Sequence, residues 1–238
     1  MLFLIVMKKS LKACIAYFTP FERVLWLCSV TLITVSSCLG KDFYPLSLIA
    51  SLLGVTSLIF IAKGNFVGQI MIMLFSILYG IISIRAHYYG EMITYLFMSL
   101  PAAVFACVSW LKNPSKKGKH EVKIGNLSKE KWLICIGLSA IATVVLFFVL
   151  RYFNTNNLIV STISVTTSML AASLLFFRSP YYALAYVAND IVLIVLWVAA
   201  SITDLSYLPT VVCFATFLFN DTYSFINWTR MQKRQAQD

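Results

Sequence analysis

Apolar runs dominate this chain, and their lengths set the first reading of its fold. Eight mostly hydrophobic stretches follow one another at roughly 24–39, 43–62, 66–85, 90–111, 132–151, 157–177, 180–202 and 206–228. Most are about 20 residues long, enough at about 1.5 Å rise per residue to cross about 30 Å of hydrocarbon. The pattern predicts an all-α integral membrane protein with eight transmembrane helices. Pro20, Pro45, Pro180 and Pro209 fall at or just inside the expected helix starts, where a missing N–H does no harm. Pro114 follows the fourth stretch, and Pro101 alone lies inside one, which predicts a kink there.

The polar positions within these runs carry the functional signal. The last two stretches hold Asn189, Asp190, Asn220, Asp221 and Asn227 at membrane depth, where polar groups are costly and usually mark a substrate path. Asn220, Ser224 and Asn227 stand at i, i+4 and i+7, one helical stripe flanked by Tyr223. Amides and a hydroxyl offer donors and acceptors without fixed charge, which suits a sugar-like or amide ligand. The stripe is therefore read as a ligand face ahead of interhelical bonding. Asp221 lies about 100° further round the helix and has two readings: it neutralises a cationic ligand, or it pairs with an arginine or backbone from a neighbour.

The seventh stretch repeats the theme. Tyr182, Tyr186, Asn189, Leu193 and Trp197 share one face, and aromatic faces stack a planar ring, more strongly a cationic one. The third offers Gln69, Ser76, Tyr79 and Ser83, and the fourth Glu91, Tyr95 and Ser99. Glu91 is read as an exposed acid at a helix start, favoured by the helix dipole. The hydroxyls of the sixth stretch (Ser161, Thr162, Ser164, Thr166, Thr167 and Ser168) are read as close helix packing ahead of ligand contact.

Composition fixes the class. Of 238 residues, 60% are hydrophobic and 12% charged, with a mean hydropathy of +0.85. A soluble domain carries about twice that charged fraction. The net charge of +10 does not point to nucleic acid, because the basic residues collect in the tails and one loop between apolar spans. With the N-terminus inside, sixteen of the nineteen Lys and Arg fall in inside segments, leaving Lys41, Arg85 and Arg151 outside. That asymmetry predicts both termini in the cytoplasm and a multi-pass protein of the cell membrane. The polar segment 112–131 is read as a solvated, mobile loop. The N-terminal MLFLIVMKKSLKACIAYF places apolar residues before lysines, the wrong order for a cleaved signal peptide, and is read as an interfacial segment.

Catalytic chemistry finds little support. Cys14, Cys28, Cys38, Cys107, Cys135 and Cys213 have neither metal nor redox spacing and are read as small core residues. No metal site and no cofactor is expected. His87 and His120 lie in loop or boundary positions, so no Ser/His/Asp set assembles, and no P-loop lysine is present. A membrane-embedded lipid-modifying enzyme would need clustered acids or a nucleophile with a base, and the acids here are scattered.

The spans also hide a weak repeat. Residues 45–111 and 161–228 each hold three helices at similar spacing, with Lys63 and Arg178 in equivalent places and Ser109-Trp110 matching Asn227-Trp228. The organisation read from this is an N-terminal segment and extra helix (1–42), a first three-helix repeat (43–111) and a basic loop (112–131). A connector helix (132–156), a second repeat (157–229) and a tail (230–238) complete it. Two parallel repeats joined by a connector suit a carrier with its site between them.

Four pieces of sequence carry a family resemblance: GVTSLIFIAKGNFVGQ (54–69), YYGEMITYLF (88–97), AYVANDIVLIVLW (185–197) and FLFNDTYSFINW (217–228). They include the turns Lys63-Gly64-Asn65 and Tyr89-Gly90-Glu91, and a last helix with Asp221, Tyr223 and Trp228. Together the pieces resemble the PnuC family of nicotinamide riboside transporters. Two departures are visible: Tyr182 and Tyr186 stand where many members have a Trp-x-x-Trp pair, and Ser224 where a glycine is usual. The resemblance implies a SWEET-like 3+1+3 fold, a homotrimer, and facilitated diffusion of nicotinamide riboside. It also implies trapping by a cytoplasmic kinase, so the partners expected are the small-molecule substrate, the bilayer and that kinase. Relatives carrying thiamine, riboflavin or a deoxynucleoside supply the alternative substrates. The substrate-binding candidates are Gln69, Tyr79, Tyr95, Tyr182, Tyr186, Asn189, Asp190, Trp197, Asn220, Asp221, Tyr223, Asn227 and Trp228.

Overall fold

A computed structural model describes residues 17–39, 45–85, 88–115, 121–155 and 157–237. The expected interfacial segment at the N-terminus lies outside the described residues. The described residues form eight long helices: α1 (Pro20–Leu39), α2 (Pro45–Ala62), α3 (Val67–Arg85), α4 (Tyr89–Lys112), α5 (Lys129–Tyr152), α6 (Leu158–Phe176), α7 (Tyr181–Thr203) and α8 (Leu208–Ala236). Each matches one apolar stretch. α1 starts earlier than its hydrophobicity suggests because Thr19 and Glu22 form a reciprocal cap. The Thr19 N–H donates to Glu22 Oε2 at 2.7 Å, and the Glu22 N–H donates to Thr19 Oγ1 at 3.3 Å. α8 runs eight residues past Trp228, so most of the expected tail is helix.

Seven helices, α1 to α7, are long and apolar enough to cross a membrane. α8 is not, because Asn220, Asp221 and Asn227 interrupt its apolar run. The expected kink at Pro101 takes the form of a π-helical turn over Thr94–Ser99, whose wider winding lets the Leu100 N–H reach the Tyr95 carbonyl. Such a turn accommodates the proline ring and the N–H it lacks.

Six helices close into a ring, with α2 packed on α3, α3 on α4, α4 on α6, α6 on α7, α7 on α8, and α8 back on α2. α5 packs against α6 from outside, and α1 against α2 and α8. The outward faces are apolar: Leu133, Ile141 and Phe148 on α5 are exposed, as is Phe97 on α4. Serines, amides and carboxyls point inward instead, the arrangement a lipid solvent selects. Among the described cysteines, Cys107, Cys135 and Cys213 are buried as expected, whereas Cys28 and Cys38 are exposed on α1.

One end of the ring is tied by matching turns. The α2–α3 turn has Gly64 at φ +66°, and the α6–α7 turn has Arg178 at φ +57°. The Gly64 N–H donates to the Ile61 carbonyl and the Arg178 N–H to the Leu175 carbonyl. Asn65 and Ser179 each donate their N–H five residues back, to Phe60 and Leu174. Residues 121–125 then bridge the two turns. The Val122 N–H donates to the Gly64 carbonyl and the Gly125 N–H to the Arg178 carbonyl, both at 3.0 Å. Arg234 and Gln235 of α8 hold the same segment through Glu121, at 2.6 Å and 2.8 Å. For residues 121–125 this corrects the reading of a solvated, mobile loop: Val122 and Ile124 are buried in a strap.

Gly125 fits because it has no side chain, since an added Cβ would stand 2.3 Å from the Phe177 carbonyl oxygen. Gly125→Ala is expected to lower stability by about 1–3 kcal/mol, the usual range for overpacking. Gly137→Ala, where nothing lies within 4 Å, is expected to raise it by ~0.5–1 kcal/mol. Thermal unfolding of the purified protein in detergent checks both.

Candidate functional site

All six ring helices line one cavity, about 720 Å³ of empty space counted with its mouth, while α1 and α5 contribute nothing to it. Its polar lining is Gln69 and Ser76 from α3, Tyr95 and Ser99 from α4, Ser168 from α6, Tyr182, Tyr186, Asn189 and Asp190 from α7, and Asp221 from α8. The helix period explains the α7 set: Tyr182, Tyr186 and Asn189 share the inward face, with Asp190 beside it. The π turn on α4 carries Tyr95 into the lining.

Three features of this lining bear on chemistry. Gln69 is fully buried, and neither atom of its amide has a hydrogen-bond partner. Asn189 is oriented: its Oδ1 accepts from Ser168 Oγ and Thr167 Oγ1, both at 2.9 Å. That occupies the oxygen and leaves the amide donors for the cavity. Asp190 and Asp221 bring their carboxyls into contact from adjacent helices, with Asp190 Oδ2 and Asp221 Oδ1 unpartnered.

Aromatic clusters close the cavity at both ends. At the strap end, Trp228 stands edge-on to Tyr182 at 4.7 Å and packs on Trp110 at 5.4 Å. At the opposite end, Tyr79 packs on Tyr95 at 4.3 Å, Trp197 at 6.0 Å and Phe214 at 5.7 Å. Tyr88 and Tyr207 cover Trp197 at 5.0 Å and 5.5 Å.

The sequence candidates therefore divide. Gln69, Tyr95, Tyr182, Tyr186, Asn189, Asp190 and Asp221 converge on the cavity. Tyr79, Trp197 and Trp228 stand behind it in the end clusters. The amide stripe of α8 faces elsewhere, which corrects the reading of Asn220, Tyr223 and Asn227 as ligand contacts in this conformation. Asn220 Nδ2 donates to Ser29 Oγ of α1 at 3.2 Å and to the Thr216 carbonyl at 2.7 Å. Asn227 Nδ2 donates to the Ala62 carbonyl at 2.7 Å, and Tyr223 OH to Glu22 Oε1 at 2.7 Å. The Trp228 indole N–H donates to the Ile61 carbonyl at 2.9 Å. Of the two readings of Asp221, the arginine partner is absent among the described residues.

Two residues were misjudged or missed from sequence. Glu91, read as an exposed acid, is 1% exposed. Glu22 was not singled out, yet it ties three elements: it caps α1, binds Lys63 Nζ at 3.1 Å and accepts from Tyr223. The spacing Thr19-x-x-Glu22 is a capping-box signal that would have found it.

A ring of helices around a cavity with convergent polar groups, set in an apolar exterior, is the architecture of a membrane carrier. Residues 44–230 match the nicotinamide mononucleotide transporter family, and the chain belongs to it. It is 25% identical over 222 residues to the nicotinamide riboside transporter PnuC of Neisseria mucosa, covering 92% of this chain and 84% of that one. It is 22% identical over 216 residues to the protein of the same name from Haemophilus influenzae, covering 90% and 92%. The crystal structure of the vitamin B3 transporter PnuC superposes with a TM-score of 0.80 at 25% identity, covering 92% of this chain and 94% of the other. The resemblance to the PnuC family is borne out, and the chain is a multi-pass membrane transporter rather than an enzyme.

The geometry separates stability from binding. Gln69→Leu removes two buried unpartnered amide atoms, each of which costs about 1–3 kcal/mol, so its thermal midpoint is expected to equal or exceed that of the unmodified protein. Asn220→Ala removes the α1 contact and is expected to lower stability by about 1 kcal/mol. Unfolding curves of the two variants in one detergent decide this.

Proposed function

We propose that the chain carries nicotinamide riboside, or a close nucleoside-like vitamin, through the cavity by facilitated diffusion. The observation that carries this reading is the lining itself: an unpartnered amide, an oriented asparagine, three tyrosines and a carboxyl pair in one enclosure. Gln69 and Asn189 supply hydrogen bonds for ribose hydroxyls and a carboxamide. Tyr182, Tyr186 and Tyr95 flank an aromatic ring, the first two in place of the usual tryptophans. Asp190 and Asp221 favour a cationic pyridinium, because an opposite charge relieves two carboxyls held in contact. The names of the relatives from Neisseria mucosa and Haemophilus influenzae support the same substrate.

The same reading covers topology. α2–α3–α4 and α6–α7–α8 are two parallel repeats, α5 is the connector and α1 the extra helix, with α8 as the eighth crossing. The matching Gly64 and Arg178 turns and the closed ring support this 3+1+3 arrangement. They align Arg178 with Gly64, one residue on from Lys63. Both termini and the strap are cytoplasmic, in keeping with the lysine and arginine asymmetry. Transport proceeds as one repeat rocks against the other. Opening at the strap end then has to part the Gly64 and Arg178 turns, and so to break the bonds from Val122 or Gly125. The protein is a homotrimer in the cell membrane with one path per protomer, and a cytoplasmic kinase traps the product.

Purified protein in liposomes, offered nicotinamide riboside, thiamine, riboflavin and a deoxynucleoside, tests the substrate. Nicotinamide riboside is expected to enter fastest. Gln69→Leu and Asn189→Ala are each expected to weaken its equilibrium binding about tenfold, roughly one charge-assisted or buried hydrogen bond. Preference for another solute, or unchanged binding by both variants, refutes the assignment.

A further inference from the structure

The deeply buried acid Glu91 has no role in the cavity. It stands at the start of α4, at the end opposite the strap, and Gly90 beside it packs on Leu150 and Thr155. The carboxyl is 1% exposed and its Oε2 has no hydrogen-bond partner. Among the described residues no lysine or arginine pairs with it. Its surroundings are aromatic: Tyr88 lies three residues before it and Tyr95 four after, about one turn away on either side, and Tyr79 packs on Tyr95 at 4.3 Å. These are rings of the cluster that closes the cavity at this end. Tyr95 also lines the cavity together with Asp190 and Asp221.

A buried carboxyl oxygen with no donor among the described residues is costly in the interior of a membrane protein, and a purely structural acid would be expected to find one. Tyrosine faces and a carboxylate together make an environment for an organic cation. We propose that Glu91 and the tyrosines around it form an outer station, where a cationic substrate pauses between the exterior and the cavity. The inference rests on the reading that the substrate is a cationic nucleoside. When the Tyr79–Tyr95 contact opens, Glu91 holds the positive charge and Tyr95 lines the passage toward Asp190. The station sets the rate of entry and favours cations, while affinity at the cavity is set by the groups already described.

The test compares nicotinamide riboside with its uncharged dihydro form, nearly the same in shape. Initial uptake into liposomes at low concentration, equilibrium binding in detergent and thermal midpoint are measured for the unmodified protein, Glu91→Gln and Glu91→Asp. Glu91→Gln is expected to slow entry of the cation about tenfold, leave the dihydro form within twofold, and leave equilibrium binding of the cation within twofold. Glu91→Asp keeps the charge and is expected to keep the preference for the cation. Equal slowing of both forms, or no slowing of either, overturns the station while leaving the substrate assignment standing. Failure of the unmodified protein to take up either form overturns the assignment and the station with it.

Discussion

A bundle in lipid has no water with which to satisfy its polar groups, so each inward-facing donor must find a protein acceptor. At the strap end the acceptors are backbone carbonyls at helix C-termini, which have no partner within their own helix. Trp228 and Asn227 of α8 donate to Ile61 and Ala62 at the end of α2. Trp110 and Ser109 of α4 donate to Leu175 and Phe176 at the end of α6. These two sets of bonds close the ring, since α8–α2 and α4–α6 are the contacts that join its halves. The cavity, its aromatic floor and the strap beneath all depend on them.

The same economy separates the polar residues spent on the fold from those left open to the cavity. A donor that has found a carbonyl or a hydroxyl is spent on the fold, as with Asn220 on Ser29 and Asn227 on Ala62. Some that have not, among them Gln69 and the free oxygens of Asp190 and Asp221, stand on the cavity wall. Leaving them unpaired costs stability in the empty protein, and a ligand that pairs them recovers it. A carrier gains from this arrangement, because binding energy is available only while the cavity is closed around its cargo.

Much of this was legible in the chain. Seven of the helices follow from apolar runs alone, since length and hydrophobicity suffice to find a span, whereas Asn220, Asp221 and Asn227 dilute that signal in α8. The residues of α7 that reach the cavity were legible too, because Tyr182, Tyr186 and Asn189 keep one helical face. The rest was hidden for physical reasons. Helical periodicity says which residues share a stripe, but not which neighbour the stripe meets. The α8 amides therefore looked like a ligand face until α1 and α2 were seen against them. Glu91 looked exposed because a helix start is usually wet, and only tertiary packing buries it. The segment 121–125 reads as a polar loop, and its order comes from long-range bonds to Gly64, Arg178 and Gln235 that leave no local pattern.

The two halves of the ring close alike but line the cavity differently, and the difference is electrostatic. The contribution of α3 and α4 is neutral: Gln69, Ser76, Tyr95 and Ser99. Both carboxyls come from α7 and α8. Charge in a low-dielectric enclosure acts over longer distances than in water. Under the proposed function, a cationic ligand would set its positive centre toward the α7–α8 side and its neutral portion toward Gln69, and so would span the interface between the two halves. A ligand held by both halves would couple occupancy to their relative motion, because either half moving alone would lose one set of contacts.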